Sequence, residues 1–247
     1  KHLRRFMEKF RTVTYEVHNP KIKKGVRFAV LADLHGTIFG EENSALLQKI
    51  QEYAPDAILL AGDMVVRMDP STLETARKLL GTLVKDFPIF YAMGNHETKM
   101  KAEGHIYRNE YLEYQSELEQ KGICFLANEK TKATLAGNPF VINGLELPLE
   151  YYHKPFSPKL RGEKLEELIG KPDSEAINIL LAHNPKYGKT YFHWGADLIL
   201  SGHYHGGVLR FSRHVGAISS QFIPFPQYCC GDFYKKGKCM IVSAGLG

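Results

Sequence analysis

Apolar runs that stop abruptly at a polar cluster recur along this chain, and that repeat restricts its fold more than any other feature. Arg27 to Ala32 runs into Asp33-Leu34-His35, Ala57 to Ala61 into Gly62-Asp63, and Ile89 to Met93 into Gly94-Asn95-His96-Glu97. Ile177 to Ala182 runs into His183-Asn184-Pro185, and Leu198 to Ser201 into Gly202-His203-Tyr204-His205. Short apolar runs bounded by turn residues read as buried strands. Helical spacing lies between them, in Leu46, Leu47, Ile50 and Tyr53, in Leu73, Ala76, Leu80 and Leu83, and in Tyr111 to Lys121. Strands alternating with helices at this spacing predict right-handed crossovers and a parallel central sheet. The strand C-termini of such a sheet share one edge, which is where sites form. Polar clusters at successive strand ends therefore predict one site.

Beyond a strand at Ile123 to Leu126 the character changes. Thr131 to Leu135 and Phe140 to Asn143 predict paired strands, Leu165 to Ile169 a short helix, and Val208 to Phe211 and Lys238 to Ala244 further strands. Near the start, alternating Val13, Tyr15 and Val17 predict a strand, closed by Asn19-Pro20 and Gly25. No repeat, low-complexity tract or long linker divides the chain. Residues 1–247 read as one α/β domain with two sheets.

Residues 1–11 are basic and amphipathic, with Leu3, Phe6, Met7 and Phe10 on one helical face. Such a segment lies on a membrane surface as a juxtamembrane helix, docks on its own core, or is a disordered stub. The formal charge of +5 suits an anionic substrate or a membrane surface. Lys and Arg are scattered rather than massed, which argues against nucleic acid. Cys124, Cys229, Cys230 and Cys239 form no CxxC pair, so a zinc ribbon or thioredoxin motif is not expected. No apolar stretch is long enough to span a bilayer and no signal peptide is visible. The chain starts at Lys1 without a Met, so the expectation is a native N-terminus removed along with any anchor. The expected location is the cytoplasm or the membrane periphery, with no protein partner predicted.

The clusters carry the chemistry of a cation site. Asp, Asn and His are hard-to-borderline ligands that suit divalent metals. Asp33 and His35, like His203 and His205, are two residues apart, so both members of each pair can face one ion. A carboxylate such as Asp63 can bridge two cations. Asn95 offers a neutral oxygen and His183 a further nitrogen.

Taken in order, DLH, GD, GNHE, HNP and GHYHGG resemble the calcineurin-like metallophosphoesterases, from about Val26 to the end of the chain. The text is most similar to a bacterial branch of phosphodiesterases and phosphohydrolases, often membrane-associated. The resemblance implies a four-layer αββα sandwich of two mixed β-sheets flanked by helices. It implies that Asp33, His35 and His205 hold one metal, that Asn95, His183 and His203 hold another, and that Asp63 bridges them. The ions would be Mn, Fe or Zn. The implied mechanism is in-line attack by a metal-bound hydroxide, with cations about 3.5–4 Å apart and His96 as general acid. An acid that orients this histidine in the serine/threonine phosphatase branch is replaced by Val66, so Glu97 or a backbone carbonyl becomes its expected partner. Arg67 stands where that branch has a phosphate-binding arginine; it reads as a phosphate clamp or as a surface arginine. The usual C-terminal continuation is cut short at Gly247.

The expected substrate is a small-molecule or lipid-linked phosphate ester. Thr98 to Arg108, Tyr151 to Gly162 and Phe222 to Tyr228 are the loops expected to select it. A nuclease of the same superfamily and a non-catalytic scaffold are the competing readings. The first needs a basic groove, and the second the loss of ligands that this chain retains.

Overall fold

Two sheets stack face to face in the computed structural model of this chain, which describes residues 10–153, 156–205, 209–210, 216–218 and 227–247. The first sheet contains β1 (Phe28–Leu31), β2 (Ala57–Leu60), β3 (Ile89–Ala92) and β4 (Cys124–Leu126), in that order and all parallel. The helices between them are α1 (Ser44–Tyr53), α2 (Ser71–Leu83), α3 (Asn95–Lys101) and α4 (Arg108–Gln120). The second half contributes β5 (Glu129–Leu135), β6 (Asn138–Leu145), α5 (Gly162–Ile169), β7 (Ile177–Ala182), α6 (Gly188–Trp194) and β8 (Leu198–Ser201). A short pair follows, β9 (Leu209–Arg210) with β10 (Gly216–Ile218), then β11 (Gly231–Lys235) and β12 (Lys238–Val242). The second sheet runs β11-β12-β8-β7-β6-β5 and is mixed, its two outer pairs antiparallel and its interior parallel.

Side-chain alternation builds the layers. In β2, Ala57 and Leu59 face the second sheet while Ile58 and Leu60 face helices. In β7, Ile177, Ile179 and Leu181 face the first sheet, whereas Leu180 and Ala182 pack with Leu165 of α5 and Tyr191 of α6. Strands buried on both faces need apolar residues at every position, which is why they read as continuous runs. The sheets approach closely at Gly144, where an added Cβ would lie 2.3 Å from the Leu126 carbonyl oxygen. The result is helices, sheet, sheet, helices, with the parallel strands of both sheets ending along one edge.

Several expectations are corrected. Val13 to Val17 form no strand; this stretch is largely exposed, and the neighbouring Phe10 packs edge-on against Phe39 with ring centroids 5.2 Å apart. The loop expected from Thr98 to Arg108 is partly helical: Thr98 to Lys101 complete α3 and Arg108 opens α4. Lys101 pairs with Glu146 at 2.7 Å, so that charge is neutralised within the fold. Most of the N-terminal amphipathic stretch, and Phe222 to Pro226 of the third selecting loop, lie outside the described residues. No helix among the described residues is long and apolar enough to cross a membrane.

Candidate metal centre

Six of the seven expected ligands come together at the shared strand edge, and the seventh, Asn95, follows the end of β3 beside them. Asp33 and His35 follow β1, Asp63 follows β2, Asn95 follows β3, His183 follows β7, and His203 and His205 follow β8. Asp33, Asp63, Asn95, His183 and His203 are buried, whereas His35 is half-buried and His205 exposed. Their ligand atoms form overlapping groups: Asp33, His35 and His205; Asp63, His183 and His203; and His35, Asp63 and His96. Asp63 thus belongs to two of the groups.

The backbone is bent to achieve this. Asp33, His35, Asp63, His203 and His205 adopt left-handed conformations, with φ between 47° and 71°. Such conformations are uncommon outside glycine and concentrate where function demands an unusual side-chain direction. Hydrogen bonds hold them: Asp33 N donates to the Gly62 carbonyl (3.0 Å), and His203 N donates to both Asp33 carboxylate oxygens (3.1 and 3.0 Å). Neighbouring glycines are needed because there is no space for a side chain. A Cβ at Gly94 would lie 2.2 Å from Asp63 Oδ1, and one at Gly202 would lie 2.3 Å from Asp33 Oδ2.

The donor set fits metal ions. His183 Nδ1 is 2.6 Å from the Ala61 carbonyl and His205 Nδ1 is 3.1 Å from the Gly247 carbonyl. A carbonyl only accepts, so each Nδ1 carries a proton and each Nε2 is left facing the centre, free to ligate an ion once it carries no proton of its own, the usual arrangement of a metal-binding histidine. His183 Nε2 lies 3.0 Å from Asp63 Oδ2. Asn95 Oδ1 is buried and accepts no hydrogen bond. Two electron-rich atoms in contact repel unless a proton or a cation lies between them.

Charge in the metal-free site follows from this. Burial alone would push the His183 pKa down, but the carboxylates of Asp63 and Asp33 outweigh it and raise it to about 10. Burial would raise Asp63, yet His183 holds it below the usual carboxylate range. Burial, reinforced by the His183 charge, lowers His203 to about 3.

His96 stands beside this cluster, its ring 4.9 Å from that of His35. The partner of His96 is neither Glu97 nor a carbonyl: the Arg67 backbone N–H donates to its Nδ1 at 3.0 Å. That contact places the proton of the neutral ring on Nε2. Burial pushes the His96 pKa down to about 4, against the opposing pull of Asp63. Arg67 lies with Met68 in the tight turn from Val66 to Asp69, its side chain exposed.

Glu97 has a different role. Fully buried, its carboxylate accepts from the backbone N–H groups of Asp63 (2.9 Å), Met64 (2.7 Å) and Gly94 (3.0 Å) and from the Tyr91 hydroxyl (2.8 Å). It ties the loop carrying Asp63 to the loop carrying Asn95 and His96. Four donors and no acceptor surround it, so the site is built for the carboxylate, although burial and the charge of Asp63 raise its pKa to about 7. Glu97→Gln would turn an amide donor against backbone donors. The expected result is a loss of about 2 kcal/mol or more in stability and a 10–100-fold weaker metal affinity, of the order seen when an outer contact is lost. Thermal melting and metal titration check this, and unchanged values for both would contradict it.

Comparison with known proteins follows the same residues. The family model for calcineurin-like phosphoesterases matches residues 26–207. An uncharacterized metallophosphoesterase from Aquifex aeolicus is 27% identical over 240 residues, covering 96% of this chain and 84% of that protein. Phosphodiesterase YaeI from Escherichia coli is 29% identical over 185 residues, covering 73% of this chain and 60% of that protein. Among solved structures, the phosphopantetheinyl hydrolase PptH from Mycobacterium tuberculosis superposes with a TM-score of 0.52 at 15% identity, covering 89% of each chain.

Proposed function

This chain belongs to the calcineurin-like phosphoesterase family, and from that premise we propose that it is a dinuclear metal-dependent hydrolase of a phosphodiester or phosphomonoester. The observation that carries the reading is the convergence of Asp33, His35 and His205 in one group and of Asp63, His183 and His203 in another, with Asp63 also 4.0 Å from His35. One divalent ion would sit among the first three, and a second among His183, His203 and Asn95, with Asp63 shared. Bound ions would supply an activated water at neutral pH and offset charge on the phosphoryl oxygens. A phosphodiester is favoured by the likeness to YaeI, a protein named as a phosphodiesterase, and the choice among Mn, Fe and Zn follows availability.

The chain's own residues do the rest. Asp63 Oδ1 accepts from the His96 backbone N–H at 2.8 Å, which fixes the imidazole relative to the bridging carboxylate. His96 presents Nε2–H toward the leaving oxygen. The Arg67 N–H on Nδ1 opposes a second ring proton, so in the resting site His96 is a hydrogen-bond donor. Full proton delivery needs that bond to lengthen as the negative charge of the substrate arrives. Arg67, exposed beside His96, is the candidate clamp for a phosphoryl oxygen.

The test is a hydrolysis panel of monoesters, diesters, nucleotides and phospholipids with Mn, Fe or Zn supplied. Cleavage of at least one class, lost on chelation, is expected; metal-independent activity or no turnover with any ion would contradict the reading. A second test uses protons. His183 is raised to about 10 and therefore holds a proton at neutral pH, and its neighbour His35 is also raised. Metal must displace such protons, so affinity should increase with pH. Adding Mn to metal-free protein in weak buffer should release about one proton or more per chain, read by a pH indicator. Metal uptake without proton release would contradict the pairing.

A further inference from the structure

Several buried tyrosines direct their hydroxyls into the fold. Tyr91 donates to Glu97, Tyr187 to the Tyr151 carbonyl and Tyr191 to the Asn184 carbonyl, at 2.8, 3.1 and 2.9 Å. A buried phenol without such a partner calls for an explanation. Among the described residues the hydroxyls of Tyr114, Tyr151, Tyr152 and Tyr228 form no hydrogen bond, and of these four only Tyr152 has its ring against expected ligands. Tyr152 is only 8% exposed. Its hydroxyl oxygen is not sealed from solvent.

Its position supplies the explanation. Tyr152 closes a single 3-10 turn, Leu149–Tyr152, which follows β6. β6 ends in register with β7, Leu145 opposite Ala182, so this turn lies beside His183. The Tyr152 ring stands edge-on to His203, with centroids 5.2 Å apart at 74°, and lies 6.3 Å from the ring of His183. The charge that acts on it most is that of Asp63. Tyr151 turns the other way, its ring against Tyr187 at 5.6 Å. One aromatic side chain therefore forms a wall of the candidate centre at its His183–His203 end, while His96 flanks the group containing His35.

We propose that the Tyr152 hydroxyl donates a hydrogen bond to a phosphoryl oxygen of the substrate. The assignment rests on the phosphoesterase reading above and adds a substrate-contacting residue to it. A phenol is a neutral donor held on a rigid ring, so it can grip an anionic oxygen without adding charge near the cations. Inorganic phosphate, which carries the same oxygens, is the probe.

The experiment compares wild-type protein with Tyr152→Phe and Tyr187→Phe, each loaded with Mn. Phosphate affinity is measured by calorimetry, and kcat and KM on the best ester from the panel. Tyr152→Phe should retain metal content and Tm, bind phosphate roughly 10-fold more weakly and lose about 10–100-fold in kcat/KM, the range for a hydrogen bond to a charged group. Tyr187→Phe should lower Tm and leave phosphate affinity unchanged. Equal phosphate affinity and kcat/KM in Tyr152→Phe and wild type would overturn the assignment alone. So would metal loss in Tyr152→Phe, which would place the hydroxyl in the metal cluster. Wild-type protein that loads Mn yet neither binds phosphate nor hydrolyses any ester would remove the phosphoesterase reading, and Tyr152 with it.

Discussion

Asp63→Asn is expected to remove metal binding and lower turnover by roughly 10³-fold or more, because one side chain serves both ions. The substitution preserves shape. The amide oxygen can still accept the His96 backbone N–H that Asp63 Oδ1 accepts at 2.8 Å. Its NH2 group, however, would take the place of Oδ2, which faces His183 Nε2 at 3.0 Å. A donor there repels a cation, and equally a protonated imidazole. His183 would no longer be held protonated by that carboxylate, so proton release on adding metal should shrink as well. The fold should persist, since the four hydrogen bonds to Glu97 use backbone atoms and the Tyr91 hydroxyl rather than the Asp63 side chain. Elemental analysis with a hydrolysis assay decides the matter, and wild-type metal content and turnover in Asp63→Asn would refute the shared-ligand role.

His96→Ala should separate chemistry from metal binding. The ring contributes Nδ1 to an Arg67 N–H and directs Nε2–H outward, while the side chains of Asp33, Asp63 and His183 remain to hold ions. Metal content should be unchanged, and turnover of an alkyl ester should fall about 10²-fold or more, the usual contribution of a positioned proton donor. An ester with 4-nitrophenolate as leaving group needs little protonation, so its loss should be much smaller. Equal loss on both esters would show that His96 acts on substrate binding or on the ligands instead. This comparison also addresses the tension between a ring pKa of about 4 and a role as acid, since either a hydrogen bond or a full proton transfer to the leaving oxygen gives this leaving-group dependence.

The first-sheet strands and the polar residues at their ends were legible because physics writes them in local sequence. β2 and β7 are buried on both faces and must be apolar throughout, so Ala57–Leu60 and Ile177–Ala182 stand out. Asp33, Asp63 and Asn95 stand out because each interrupts such a run. Elements whose stabilisation is long-range were not legible. α3 has the polar sequence NHETKMK and no apolar stripe; Glu97 caps it by accepting the Gly94 N–H at 3.0 Å. Gly231–Lys235 forms a strand because it pairs with β12, not because its own residues alternate cleanly. Val13, Tyr15 and Val17 alternate but join no strand ladder among the described residues. The partner of His96 was hidden for another reason. A backbone N–H carries no sequence signature, and only the turn that brings Arg67 over the ring reveals it.

The most direct test is anomalous diffraction from crystals loaded with Mn. The account predicts two peaks, one bounded by Asp33, His35 and His205 and the other by Asn95, His183 and His203, with Asp63 touching both. A single peak, or ions elsewhere with Asp63 still paired to His183, would contradict it.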